Sequence, residues 1–209
     1  MPAPEITMRL LGGAEAAGSG EDIAALRAEV CGAAPHRDSA GQHGAGQHGA
    51  GQHGAGRHGA GRDGADGGFG RRFGRQRRQP GFVLAEARHG GYLVGYAFGV
   101  PLRPATSWWR DLTAALPEEL TAEHPGRTFA LAELTVRAAW RRQGIGRDLH
   151  DLILDGRAED RATAAIPVAA VPAQGAYQRW GWRKAARKHA EPPAAALLDV
   201  LLLDLAAVG

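Results

Sequence analysis

Two hydrophobic periods alternate along this chain, and they set out most of its elements. Ile6, Met8 and Leu10 alternate with Thr7 and Arg9, the period-two pattern of a strand with one buried face. Ser19 offers a helix cap, after which Ile23, Leu26 and Val30 fall on one helical face. Residues 82–87 and 92–100 read as two strands joined by a turn around His89-Gly90-Gly91. After a loop-rich stretch over 101–127, Thr128–Val136 is a further strand, rich in apolar and β-favouring residues. Gly144 opens a helix whose face carries Ile145, Leu149, Leu152 and Ile153. Residues 162–171 predict a short strand, 173–180 a short helix and 197–205 a final buried strand. Sheet and helix alternate through the second half, so the expected class is α/β or α+β around a central sheet.

One segment has neither period. From about Ala40 to Asp66 the sequence repeats as GQHGA, GRHGA and GRDGA, with alanine its largest apolar group. Much of the excess in the chain's 31 glycines sits there. Ordering such a segment costs about 1–2 kcal/mol per residue with nothing to offset it, so disorder is expected. An Arg-rich stretch follows, Arg71, Arg72, Arg75, Arg77 and Arg78 interleaved with Phe69 and Phe73. The expectation is one domain over 1–209, interrupted by a disordered Gly/His/Arg-rich insertion at 40–79.

The bulk properties narrow the class of function. A net charge of +3 suits an anionic ligand such as a nucleotide and is too weak to argue for DNA, so nucleic acid is not an expected partner. Cys31 is the only cysteine, which excludes an internal disulfide and fits a reducing compartment. The first residues lack the basic start and apolar run of a signal peptide. No stretch approaches the roughly 18 apolar residues of a membrane helix, since the longest candidate, 194–205, is broken by Asp199 and Asp204. A cytoplasmic protein with no membrane partner is expected.

The stretch ELTVRAAWRRQGIGRDLHDLI, from Glu133 to Ile153, carries the chemistry. A strand ends near Val136, and Arg141-Arg142-Gln143-Gly144-Ile145-Gly146 opens a helix. Two glycines there let backbone approach a ligand without an intervening Cβ. The free amides of a first helical turn and the helix dipole favour an anion, commonly phosphate. Arg141, Arg142 and Arg147 add charge-assisted contacts around the same place. No G-K-[ST] follows, which excludes a Walker loop, and the third glycine of a dinucleotide fingerprint is missing.

This spacing resembles the pyrophosphate motif R/Q-x-x-G-x-G/A of the GNAT N-acetyltransferases, met by Arg141, Gly144 and Gly146. Downstream, A-Y-Q-R-W-G-W from Ala176 to Trp182 is similar to the family's A-Y-x-x-x-G-F/W stretch. The wording looks most like actinobacterial members. The resemblance covers about Ile6 to Leu205 without the repeat. It implies the GNAT fold, a mixed and mostly antiparallel sheet flanked by helices with a V-shaped splay. It also implies acetyl-coenzyme A as co-substrate and an amine of a small molecule or protein as acceptor, and it admits a homodimer. Direct attack of the amine in a ternary complex is the implied mechanism, and a protein that only binds acetyl-coenzyme A is the alternative. Leu134 and Val136 would pair with the pantetheine arm, and the residues from Arg141 to Arg147 would hold the pyrophosphate. A backbone amide near Val136 would stabilise the oxyanion, and Tyr177 would protonate the leaving thiolate. Glu133 is the nearest acidic candidate for the base, ahead of His124 and of His150, which reads as exposed on its helix. One departure stands out: many members carry asparagine where this chain has Ala170, and Pro167-Val168-Ala169 also differ.

Other features admit two readings each. His43, His48, His53 and His58, at a five-residue period, could chelate Ni, Zn or Cu ions, or belong to a repeat expanded where the fold tolerates it. The bland reading is preferred, so no metal is assigned. The Arg-rich run could touch nucleic acid or form a solvated helix face, and the second is preferred. Trp108-Trp109 is either an aromatic wall for the substrate or a cover for the sheet edge.

Overall fold

The computed structural model describes residues 5–32, 66–190 and 196–205. Among these residues, seven strands form one sheet in the order β1-β2-β3-β4-β5-β7-β6. They are β1 (Ile6–Gly12), β2 (Val83–His89), β3 (Tyr92–Pro101), β4 (Thr128–Val136), β5 (Arg161–Pro167), β6 (Arg183–His189) and β7 (Leu197–Asp204). Every neighbouring pair is antiparallel except β4 and β5, which are parallel. The expected mixed, mostly antiparallel sheet is the sheet observed.

Helices cover both faces. On one lie α1 (Gly20–Gly32) and α2 (Asp66–Gln76), and on the other α4 (Ile145–Leu154) and α5 (Val171–Arg179), with a single turn, α3 (Glu118–Thr121), in the long loop before β4. Ile23, Leu26, Phe69 and Phe73 pack on Phe82, Leu84, Tyr96 and Phe98 of the first face. Ile145, Leu149, Ile153 and Tyr177 pack on Phe129, Leu131, Leu201 and Leu203 of the second. Period-two strands supply both layers because successive side chains point to opposite faces.

Several expectations need correction. The expected disorder over 40–79 fails in its last part, because Asp66–Gln76 is a helix. Phe69 and Phe73, four residues apart, lie on one helical face and are each 4% exposed. The Phe73 ring meets Phe98 edge-on at 5.3 Å and Phe82 at 5.9 Å. Arg71, Arg75 and Arg78 lie exposed, in keeping with the solvated face preferred for this run. The repeat itself, with His43, His48, His53 and His58, lies outside the described residues. Ser19 is not a helix cap: a 3-10 turn (Glu15–Ser19) runs directly into α1, and the Ser19 hydroxyl bonds buried Glu86 instead. Strand β6 went unforeseen, since RKAARKH has no apolar period.

Candidate functional site

Strand β4 is the axis of the site. Its register with β3 passes from Phe98↔Glu133 to Gly99↔Leu131, leaving Ala132 as an extra, bulged residue. A bulge inverts the alternation beyond it. Phe129, Leu131, Leu134 and Val136 therefore all face α4 and α5, while Ala132 and Glu133 both face α1 and α2. With β5, β4 pairs only over Thr128, Phe129 and Ala130, although β5 continues to Pro167. The sheet opens there as a V. The Arg137 amide donates to the Val94 carbonyl of β3 at 2.9 Å, so the backbone groups of Val136 and Leu134 face the opening. Arg141 Nε already donates to the Val136 carbonyl at 3.0 Å, which ties the arginine to the end of the strand.

The loop after β4 winds into α4 through two left-handed residues, Arg142 (φ 62°) and Gly144 (φ 89°). Glycine adopts that conformation without strain, whereas Arg142 is held in it at a cost of order 1–3 kcal/mol. The amides of Arg147 and Asp148 close on the Gly144 carbonyl at 2.8 and 3.0 Å. Those of residues 142 through 146 donate to no acceptor among the described residues. A run of open amides at the positive end of a helix is a cradle for an anion. Arg141 and Arg142 are exposed beside it, whereas Arg147 reaches down the helix to Asp151 at 2.5 Å. Gln143 spends its amide on the Ala139 carbonyl. The Ile145 side chain is core, so only its amide faces the cradle. A Cβ on Gly146 would lie 3.8 Å from Val136 and 3.9 Å from Leu134, ordinary contacts. The fold does not need that glycine, and its absent side chain leaves open the approach to the cradle.

Tyr177 of α5 is 4% exposed, packed between Trp180 at 5.2 Å and Trp182 at 5.2 Å. Its hydroxyl makes no hydrogen bond to the described residues. Burial pushes its pKa well above the usual phenol value, so it keeps its proton at neutral pH. His150 is 3% exposed, which corrects the exposed reading of its helix position. Burial lowers its pKa, with the Asp151 bond opposing that shift. The Trp180 ring lies 4.6 Å from it, tilted by 43°. Periodicity missed this cluster because His150 lies beside Leu149 and Ile153 at the margin of the apolar stripe.

Glu133 faces α1 and α2. It accepts from Tyr96 at 2.6 Å, from Arg27 at 3.1 Å and from Arg72 at 3.0 Å. On that same face lies a cavity of about 630 Å³ lined by Ala130 and Ala132 of β4, Ala165 of β5, Arg72, Arg103 and Trp108, among others. The two strands that part to form the V thus also form the cavity floor. Trp108 and Trp109 divide the two readings between them. Trp108 is a cavity wall, its indole donating to Thr163 at 3.2 Å. Trp109 seals the sheet, donating to buried Glu123 at 2.9 Å. His124 sits exposed in the turn before β4 and lines no part of the cavity. Ala170 is the N-cap of α5 and has no side chain with which to cap it.

The Acetyltransferase (GNAT) family model matches residues 61–182. No curated protein matches the sequence. Among solved structures, a protein of Desulfovibrio desulfuricans assigned to the GNAT family is similar at 14% identity, TM-score 0.60, covering 96% of this chain and 99% of that one. YncA of Salmonella typhimurium, solved with its cofactor acetyl-CoA, is similar at 16% identity, TM-score 0.54, covering 96% and 94%. The ribosomal-protein-S18-alanine N-acetyltransferase of Escherichia coli is similar at 12% identity, TM-score 0.53, again covering 96% and 94%. At such identities these neighbours speak for the fold, and the sequence match supplies the family. With a model that spans more than half of its length, a sheet that parts at β4 and β5, and an anion cradle at the start of α4, the chain belongs to the GNAT acetyltransferase family.

Proposed function

We propose that this protein transfers the acetyl group of acetyl-coenzyme A to an amine of a small molecule or protein, by direct attack within a ternary complex. The observation that carries the reading is the pairing of two open backbone surfaces. The β4 edge at Leu134 and Val136 faces the V, and the amides of residues 142 through 146 lie at its mouth. An extended pantetheine arm matches the first as an added strand, and a pyrophosphate matches the second. Arg141 and Arg142 supply the nearby charge, and Arg147 would contribute only after leaving Asp151.

Acetyl-coenzyme A supplies a thioester carbonyl open to an amine. The Val136 amide, pointing into the V, donates to the carbonyl oxygen as charge develops there. Tyr177, held protonated by its burial, gives its proton to the departing thiolate. Glu133 faces the acceptor side, but Arg27, Arg72 and Tyr96 already engage its carboxylate. We read it as positioning Arg72 at the cavity, with the ammonium proton passing to water in the open cleft.

A protein that binds acetyl-coenzyme A without turnover is the second reading. Ala170 at the α5 N-cap and the engaged Glu133 favour it. Calorimetric titration with acetyl-coenzyme A, followed by thiol release over a panel of amines, separates the two. Tight binding with amine-dependent thiol release is expected. Failure to bind would sink both readings, and binding without release for every amine would leave the second.

A further inference from the structure

The cavity on the α1/α2 face has an uneven charge. Arg72 and Arg75 of α2, Arg103 of the loop after β3, and Lys188 of β6 line it, whereas no aspartate or glutamate among the described residues does. Glu133 is the carboxylate bound to that wall, and it is shared between Arg27 and Arg72. Arg75 and Arg103 are exposed and make no ion pair with the described residues. Lys188 is 8% exposed, and its ammonium is fixed by donating to the Trp108 carbonyl at 2.6 Å, over the Trp108 ring. The floor beside these cations is apolar: Ala130, Ala132, Ala165 and Leu198.

A cationic ring above an apolar floor repels a polyamine and attracts an anion. Guanidinium forks match the two oxygens of a carboxylate or the face of a phosphate. We infer that the acceptor is an amine that also bears an oxyanion, carboxylate or phosphate. The oxyanion is held by Arg75 and Arg103 with Arg72, and the amine lies toward the V between β4 and β5. Trp108 forms the wall beside it. This rests on the acetyl-transfer reading for the identity of the amine, while the oxyanion site can be tested without turnover.

The test follows the Trp108 indole N–H resonance in the full chain saturated with coenzyme A, which carries no acetyl group to transfer. Matched probes are β-alanine against β-alaninamide, O-phosphoethanolamine against ethanolamine, and spermidine. A saturable shift with β-alanine or O-phosphoethanolamine, at least about tenfold tighter than with the partner that lacks the oxyanion, is expected. The carboxylate and phosphate arms show which oxyanion is preferred. Arg75→Glu with Arg103→Glu should remove that preference, and Arg78→Glu, an exposed arginine outside the cavity, should keep it. The affinity for acetyl-coenzyme A should stay the same in all three proteins. Equal shifts within each pair, a preference for spermidine, or no shift at Trp108 with any probe overturns the inference. So does loss of coenzyme affinity in the double variant, since the cations would then serve the coenzyme. Thiol release with the same probes reports separately on acetyl transfer: an oxyanion-dependent shift without release leaves the site standing and counts against the enzyme.

Discussion

The indole N–H of Trp182 donates to Nε2 of His150 at 2.8 Å, inside the core that also holds Tyr177. An acceptor at Nε2 places the ring proton on Nδ1, where it faces Asp151 at 2.7 Å. The neutral imidazole thus satisfies both of its nitrogens, and a second proton would set two donors against each other at Trp182.

A pH dependence follows from this burial. Burial sets the His150 pKa below its ordinary value near 6.5. The unfolded chain therefore binds the proton first as pH falls, and the folded state loses stability. The contribution is complete above about pH 6.5 and is lost as pH falls from there through the lower folded value. Thermal melts at pH 7.5 and 5.5 should show a drop in the parent that is smaller in His150→Gln. Equal drops would assign the effect to carboxylates instead.

At the cradle, Gly146→Val should abolish acetyl-coenzyme A binding while the protein stays folded. A Cβ there meets only ordinary contacts, so the added bulk lies in the ligand's path. Calorimetry together with a melting curve checks this, and an unchanged affinity would remove the cradle from the site.

Tyr177→Phe keeps the ring between Trp180 and Trp182 and removes the hydroxyl that carries the proton. If that proton goes to the thiolate, kcat should fall by roughly 10²–10⁴-fold with little change in coenzyme affinity. Parental turnover would make the tyrosine a packing residue.

Glu133→Gln separates positioning from base catalysis. As the anchor of Arg72, its loss should raise the acceptor KM and spare kcat. A large fall in kcat with KM unchanged would make the carboxylate the base.

Phe73→Ala should cost about 3–5 kcal/mol, since the ring is buried against Phe69, Phe82 and Phe98. Urea unfolding measures it. A cost below about 1 kcal/mol would mean that α2 is not anchored by its aromatic face.

The sequence by itself determined the local and the periodic. The strand Thr128–Val136 stands where its apolar and β-favouring residues put it, and the Gly-x-Gly placed the start of α4 one residue from its observed first residue. Those signals are local because a glycine's conformational freedom and a residue's β preference depend on few neighbours. Tertiary structure decided the rest. Nothing within RKAARKH marks a strand, because β6 is recruited by pairing with β7. Asp66–Gln76 is helical because Phe98, some 25 residues further along the chain, covers both of its phenylalanines, with Phe82 closing over Phe73. The bulge at Ala132, the opening between β4 and β5, and the gathering of Arg75, Arg103 and Lys188 around one cavity join segments distant in the chain. Contacts of that kind are set by how sheets and helices pack, and no window of sequence contains both partners.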